Sequence, residues 1–255
     1  MKRWTGLWSV LLGVALLLVW EWATHHGGWS RLVLPAPSAV AQSLWGGWVS
    51  GYFAPHAWQT LVEVLAGLAL GGACGFVGGL CLGESVFWRQ VLMPYVVTTQ
   101  VLPKLALAPL LMMWLGFGTW PMVVITALVC FFPLLENTLT GLQQADPQRL
   151  ALFRLLGASR WQTLWRLKVP LALPAILAGW RVAVVLSLVG AVVGEFIGAN
   201  RGLGALIIAA QGSMDTPLMF AVLAQITAMG WVLYRLTLAL ERRLLLAFFP
   251  FKSGD

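Results

Sequence analysis

Charge is the scarcest property of this chain. Only 10% of its 255 residues are Asp, Glu, Lys or Arg, whereas soluble domains carry about 25%, so there is too little charge to keep a water-facing surface. Cysteine is equally sparse: Cys74, Cys81 and Cys130 all fall inside apolar stretches, which excludes a disulfide framework. His25, His26 and His56 read as loop residues without a ligand-like cluster of Cys or acidic partners, so no metal site is expected. Nowhere does G-x-S-x-G, H-E-x-x-H, H-x-x-E-H or a Gly-Lys-Ser/Thr phosphate loop occur, and this argues against a membrane-embedded enzyme and against ATP binding by this chain in the usual manner. The net charge of +7 sits in short clusters between apolar runs and not along a continuous face, so nucleic acid is not an expected partner. No internal repeat is evident, which weighs against a self-sufficient secondary transporter or channel, the alternative functional class.

What the chain has instead is apolar length. Sixty per cent of it is hydrophobic and the mean hydropathy is +0.84. A bilayer core needs about 20 helical residues per crossing, and about six such runs are expected: Leu7–Ala23, Trp58–Leu82, Val91–Leu115, Trp120–Leu142, Ala172–Gly194 and Pro217–Leu240. The expected fold is all-α, a polytopic membrane helical bundle forming a single domain over 1–255. The first run follows Lys2 and Arg3 as a signal peptide would, but Glu21-Trp22-Ala23-Thr24-His25 offers no small-residue cleavage site, so it reads as a retained anchor.

Loop charge sets the expected orientation. Lys2, Arg3, Arg89, Arg149, Arg154, Arg160, Arg166, Lys168, Arg242, Arg243 and Lys252 fall on one side; Arg31 and Arg201 fall on the other. Both termini are therefore expected in the cytoplasm. Trp20, Trp22, Trp58, Trp114 and Trp120 then lie near the outer interface and Trp88 near the inner one, unless they fill space between helices. Leu34-Pro35-Ala36-Pro37-Ser38 leads into Val40, Leu44, Trp45 and Trp48 at helical spacing, a surface helix.

Gly67, Gly71, Gly75, Gly79 and Gly83 recur every fourth residue and give the second crossing one smooth face. Packing within the chain, a dimer seam and a sliding surface are all compatible with such a stripe.

The interval from about 145 to 170 carries the densest local signals. Asp146-Pro147 is a helix start. Leu150, Phe153 and Leu156 supply an apolar face, Arg149 and Arg154 point elsewhere, and Gly157 ends the helix. Ser159-Arg160-Trp161-Gln162 has the form of a capping box, so a second helix is expected to run to Lys168, where Pro170 and Pro174 stop it.

Ala151-Leu152-Phe153 with Gly157, followed by Leu167-x-Val169-Pro170, resembles the EAA loop of bacterial ABC-importer permeases. Glycine and proline stand at the family spacing, while Ala-Leu-Phe replaces Glu-Ala-Ala. The segments 102–110, Phe131-Phe132-Pro133 with Asn137 and Gly141, and Gly194-Glu195-Phe196 followed by Arg201-Gly202-Leu203-Gly204 are similar to the branch serving nitrate, sulfonate, taurine and thiamine-precursor importers.

The resemblance implies a type I importer (MetI-like) permease in a bacterial inner membrane. It further implies a coupling helix on a cytoplasmic ABC ATPase dimer, with Leu150, Phe153, Arg154, Leu156, Gly157, Ala158, Ser159, Arg160 and Trp161 at the contact. ATP and magnesium then belong to the ATPase, and this chain carries no cofactor. A solute-binding protein delivers the cargo, with 29–55 and 197–216 as its expected landing loops, and a second permease copy completes a homodimer in lipid. The expected cargo is a thiamine-precursor pyrimidine or related vitamin, with sulfonate, taurine or nitrate anions next. Glu63, Lys104, Glu136, Arg181 and Glu195 fall in or at the ends of crossings, where a central charge costs about 2.5–3.5 kcal/mol and must be paired or hydrated. Lys104, Arg181 and Glu195 are the expected pathway residues, an ion pair being the competing role for Lys104.

Overall fold

A computed structural model describes residues 2–26 and 32–248. Trp29, Arg31 and Lys252 lie outside them, as do the side chains of Lys2 and Arg3. Among the described residues every regular element is helical. In chain order these are α1 (Lys2–His26), α2 (Pro37–Val49), α3 (Phe53–Glu84), α4 (Val86–Val101), a 3₁₀ turn (Lys104–Leu107), α5 (Ala108–Leu115), α6 (Thr119–Gln143), α7 (Pro147–Leu155), α8 (Arg160–Thr163), a π turn (Leu164–Lys168), α9 (Val169–Gly198), α10 (Leu203–Gly212) and α11 (Thr216–Phe248).

Among the described residues, four helical stretches are long and apolar enough to cross a membrane: Phe53–Glu84, Thr119–Gln143, Arg160–Gly198 and Thr216–Ala247. Within α1 the stretch Val10–His26 is apolar, and the exposed side chains of Leu12 and Leu18 show how little of it packs on the bundle.

The expected third crossing is not one helix. It breaks at Leu102-Pro103 into α4 and the 3₁₀–α5 piece, bent by 81°. Proline excludes its predecessor from the helical region and offers no amide of its own; Leu102 is accordingly extended, with ψ 128°.

Around Pro170 the sequence expectation fails in the opposite direction. Instead of stopping, α8 passes through the π turn into α9 as one run, Arg160–Gly198. A proline ring ordinarily collides with the carbonyl four residues back. The wider π turn, closed by the Val169 amide on the Leu164 carbonyl, makes room just ahead of Pro170.

Helices α3, α6 and α9 form the packed centre. All five glycines of the stripe face α6: added carbon at Gly67 would meet Thr126, at Gly71 the Ala127 backbone, at Gly75 Phe131 and Leu134, at Gly79 Thr138, and at Gly83 Leu142. In lipid, where apolar burial does not drive helices together, close backbone approach supplies the attraction. On the other side of α6, Gly179 of α9 lies against Pro133 and Asn137. At the end remote from α7, Phe53, Leu203, Leu206, Ala221 and Val222 make a second core, onto which Val40 and Leu44 of the surface helix α2 pack.

Candidate functional site

The elbow follows its sequence signals closely. Asp146 caps α7 by accepting from the Gln148 amide at 2.9 Å. Gly157 closes the helix with φ +71°, and the amides of Gly157 and Ala158 donate to the carbonyls of Arg154 and Phe153, both at 3.0 Å. A side chain there would be strained by the left-handed backbone, although the space around it is open. Both halves of the Ser159 capping box form: the Gln162 amide donates to Ser159 Oγ at 3.2 Å and the Ser159 amide to Gln162 Oε1 at 2.9 Å. Trp161 and Trp165 stack edge to face, 5.5 Å apart.

Of the expected apolar face, Leu150 and Phe153 turn half inward and Leu156 is 73% exposed. The outward surface is made by Leu152, Leu155, Leu156 and Trp161, flanked by exposed Arg154 and Arg160. Leu155, 85% exposed, is the most prominent and was not singled out from sequence; a leucine fully outside the helix face that packs inward was its only signal. Such a patch beside bare cations is what a partner surface requires. Arg149 reaches Asp146 at 3.8 Å, and Lys168 donates to Glu84 at 2.6 Å.

At the opposite end, a polar network ties α3 to the α9–α10 turn. Thr60 donates to Glu195 Oε1 at 2.6 Å and accepts from the Leu203 amide at 2.8 Å. The Gly204 amide donates to Glu195 Oε2 at 2.6 Å. Glu195 is 1% exposed, so its carboxylate caps the start of α10 from inside the bundle. Gly202, at φ +132°, is obligatory, because a Cβ would enter that carboxylate. Glu63, also 1% exposed, lies beside Glu195 and accepts from Gln59 at 2.8 Å, whose amide also donates to Thr119 at 2.7 Å. Over it opens a small cavity of about 220 Å³ lined by Gln59, Glu63, Thr119, Asn200 and Arg201.

The other intramembrane charges are dispersed. Lys104 begins the 3₁₀ turn at the α4–α5 break, half-buried and without an ion pair among the described residues. Arg181 Nε lies 3.1 Å from Glu241 Oε2 on α11, yet neither atom is aligned for a hydrogen bond, so the contact is one of charge alone. Arg181 also lines a groove with Val182, Val185 and Tyr234. Lys104, Arg181 and Glu195 are thus not gathered into one site. Half of the expected loop 197–216 is helix α10, with one side buried, which leaves only short turns at its ends.

Residues 67–246 match the model of the binding-protein-dependent transport system inner membrane component. The chain belongs to this family. It is a multi-pass permease subunit of an ABC importer, an inner membrane component by family. It is 35% identical over 242 residues to the riboflavin transport system permease protein of Chloroflexus aurantiacus, covering 95% of this chain and 90% of that one. To the formylaminopyrimidine transport permease protein of Halalkalibacterium halodurans it is 35% identical, with coverage of 90% and 92%; to the taurine transport system permease protein of Escherichia coli it is 30% identical, with coverage of 95% and 91%. The fold is that of a chain in an inward-facing MetNI methionine ABC transporter structure, with a TM-score of 0.66 at 16% identity, covering 73% of this chain and 93% of that one.

Proposed function

We propose that this permease, paired with a second copy, forms the path for a small vitamin-type solute and is driven through its elbow by a separate cytoplasmic ABC ATPase dimer. The carrying observation is the elbow itself, an apolar knob of Leu152, Leu155, Leu156 and Trp161 fixed between two capped helix ends. Leu150, Phe153 and the Gly157-Ala158-Ser159 corner hold the knob in shape, while Arg154 and Arg160 rim it. A knob that merely joined two crossings would need only a few residues. Two of the permease relatives at 35% identity are named for riboflavin and for formylaminopyrimidine, which favours a thiamine-precursor pyrimidine or related vitamin over taurine.

Both termini and the elbow then lie in the cytoplasm, and a solute-binding protein meets the end bearing Arg201. Cargo specificity resides chiefly in that binding protein. Lys104 at the helix break and Arg181 in its groove are the cations placed along the path; Glu195 acts on the path through the turn that it holds. Nucleotide and magnesium chemistry belong to the ATPase. The test is uptake of labelled formylaminopyrimidine, riboflavin and taurine into proteoliposomes containing permease, ATPase and cognate binding protein. ATP-dependent uptake of a vitamin-type solute is expected; equal uptake by the permease alone refutes the reading.

A further inference from the structure

The joint between elbow and bundle holds an ion pair that neither the packing nor the elbow's capping requires. Glu84 is the last residue of α3. A carboxylate there faces the negative end of the helix dipole, the wrong sign for that position. The compensating cation comes from far along the chain: Lys168 closes the π turn, and its ammonium donates to Glu84 Oε1 at 2.6 Å. The two side chains are 19% and 28% exposed, so solvent screens the pair only in part.

Compliance is concentrated beside this pair. π turns are rare, and they are found often at functional positions. Here the turn is followed by Pro170 and Pro174, neither of which has an amide to offer the helix. Leu164 and Leu167 of the turn are buried, Leu164 against Leu142 and Ala172, so the turn is seated but not stiff. On the other side of the pair the structure is firm, because Gly83 holds the end of α3 against Leu142 of α6.

We propose that Lys168 and Glu84 pin the bundle side of the joint to α3, so that displacement of the elbow moves the α3–α6 pair and is not lost in the π turn and its prolines. Both are positioning residues for coupling, and the inference rests on the elbow's role in receiving the ATPase.

The full complex of permease, ATPase and binding protein is the object to test. Amide hydrogen exchange over 80–101 is compared between nucleotide-free and ATP-trapped states, with ATP hydrolysis measured on the same preparations. Wild type is expected to show a nucleotide-dependent difference. In K168A and E84A that difference falls at least about fivefold while hydrolysis stays within about twofold of wild type. K168R retains the difference, and the reversed pair K168E/E84K recovers most of it. A single variant with the wild-type difference overturns the pin alone. So does a reversed pair no better than the singles, or a single variant that loses the ATPase, since the pair then serves assembly. A wild-type complex without any nucleotide-dependent difference overturns the coupling reading together with the pin.

Discussion

The glycine stripe on α3 makes a graded prediction, because the structure tells which added methyl groups have somewhere to go. At Gly71 a Cβ would stand 2.7 Å from Ala127 Cα and 2.8 Å from its carbonyl carbon. Backbone cannot rotate away. The Ala127 carbonyl oxygen would stand closer still, so to restore ordinary contact at 3.4 Å α3 and α6 must part by more than about 0.7 Å, and a gap of about 0.5–1 Å already forfeits a quarter to a half of each neighbouring dispersion contact. The loss runs along the seam from Gly67 to Gly83, so Gly71→Ala is expected to cost about 1–3 kcal/mol, the range for overpacked cores. At Gly78 the nearest atom is Leu135 Cδ1 at 3.3 Å, the flexible tip of a side chain, and Gly78→Ala should cost well under 1 kcal/mol. At Gly46 nothing lies within 4 Å, so Gly46→Ala should be neutral or stabilise α2 by up to about 1 kcal/mol through helix propensity. Thermal loss of the monodisperse detergent-solubilised protein, followed by size exclusion, ranks the three. If Gly71→Ala survives heating as well as Gly46→Ala, the seam is not a close-packed contact and the reasoning is wrong.

Gly157→Val should strain the elbow corner by about 1–2 kcal/mol or more and abolish ATPase-stimulated transport, read as loss of ATPase copurification or of uptake per ATP hydrolysed. Ser159→Ala removes one half of the capping box and should lower stability by about 1 kcal/mol, with a proportionate fall in melting temperature and partial retention of coupling. Lys104→Ala should impair uptake while the complex still assembles; normal uptake by that variant removes Lys104 from the path. Glu195→Ala leaves the buried Gly204 amide without its acceptor and the Thr60 hydroxyl with only the His56 carbonyl at 3.2 Å, and should destabilise by about 1–3 kcal/mol, whereas Glu195→Gln, which keeps an acceptor oxygen, should be milder in the same melting assay.

Local chemistry was legible from the sequence and distant pairing was not. The Asp146 cap, the Gly157 corner and the Ser159 box are each set by residues within a few positions of one another, and each forms. The stripe of glycines announced a smooth face, but only the structure shows that α6 covers it. Pro103 and Pro170 are subject to the same steric rule and behave differently. Pro103 follows an extended Leu102 and breaks its crossing, while Pro170 follows a π turn that absorbs its ring. Nothing local marks a π turn. Glu63, Glu136, Arg181 and Glu195 were conspicuous as charges in apolar runs, yet their surroundings depend on which helices meet: Glu241 arrives from α11 and the Gly204 amide from α10. Helix α10 itself escaped notice because its ten residues are too few to read as a crossing and too apolar to read as anything but a loop's hydrophobic patch.

These placements bear on where motion can occur. Helices α3 and α6 are joined by backbone contact along the stripe, and α6 and α9 by Gly179 and Gly141, so the three move as a slab or not at all. The Thr60–Glu195–Gly204 network fastens the far end of that slab to α10. The bends left outside this packing are the α4–α5 break beside Lys104 and the π turn beside Lys168, two of the places where proline interrupts helical hydrogen bonding; Pro133 does so inside α6, where Gly179 of α9 packs over its carbonyl. Of the two bends, one sits at the elbow and the other carries an intramembrane cation that has no ion pair among the described residues. An input at the first and a response at the second require only that the slab between them stay rigid, and its glycine packing provides that rigidity.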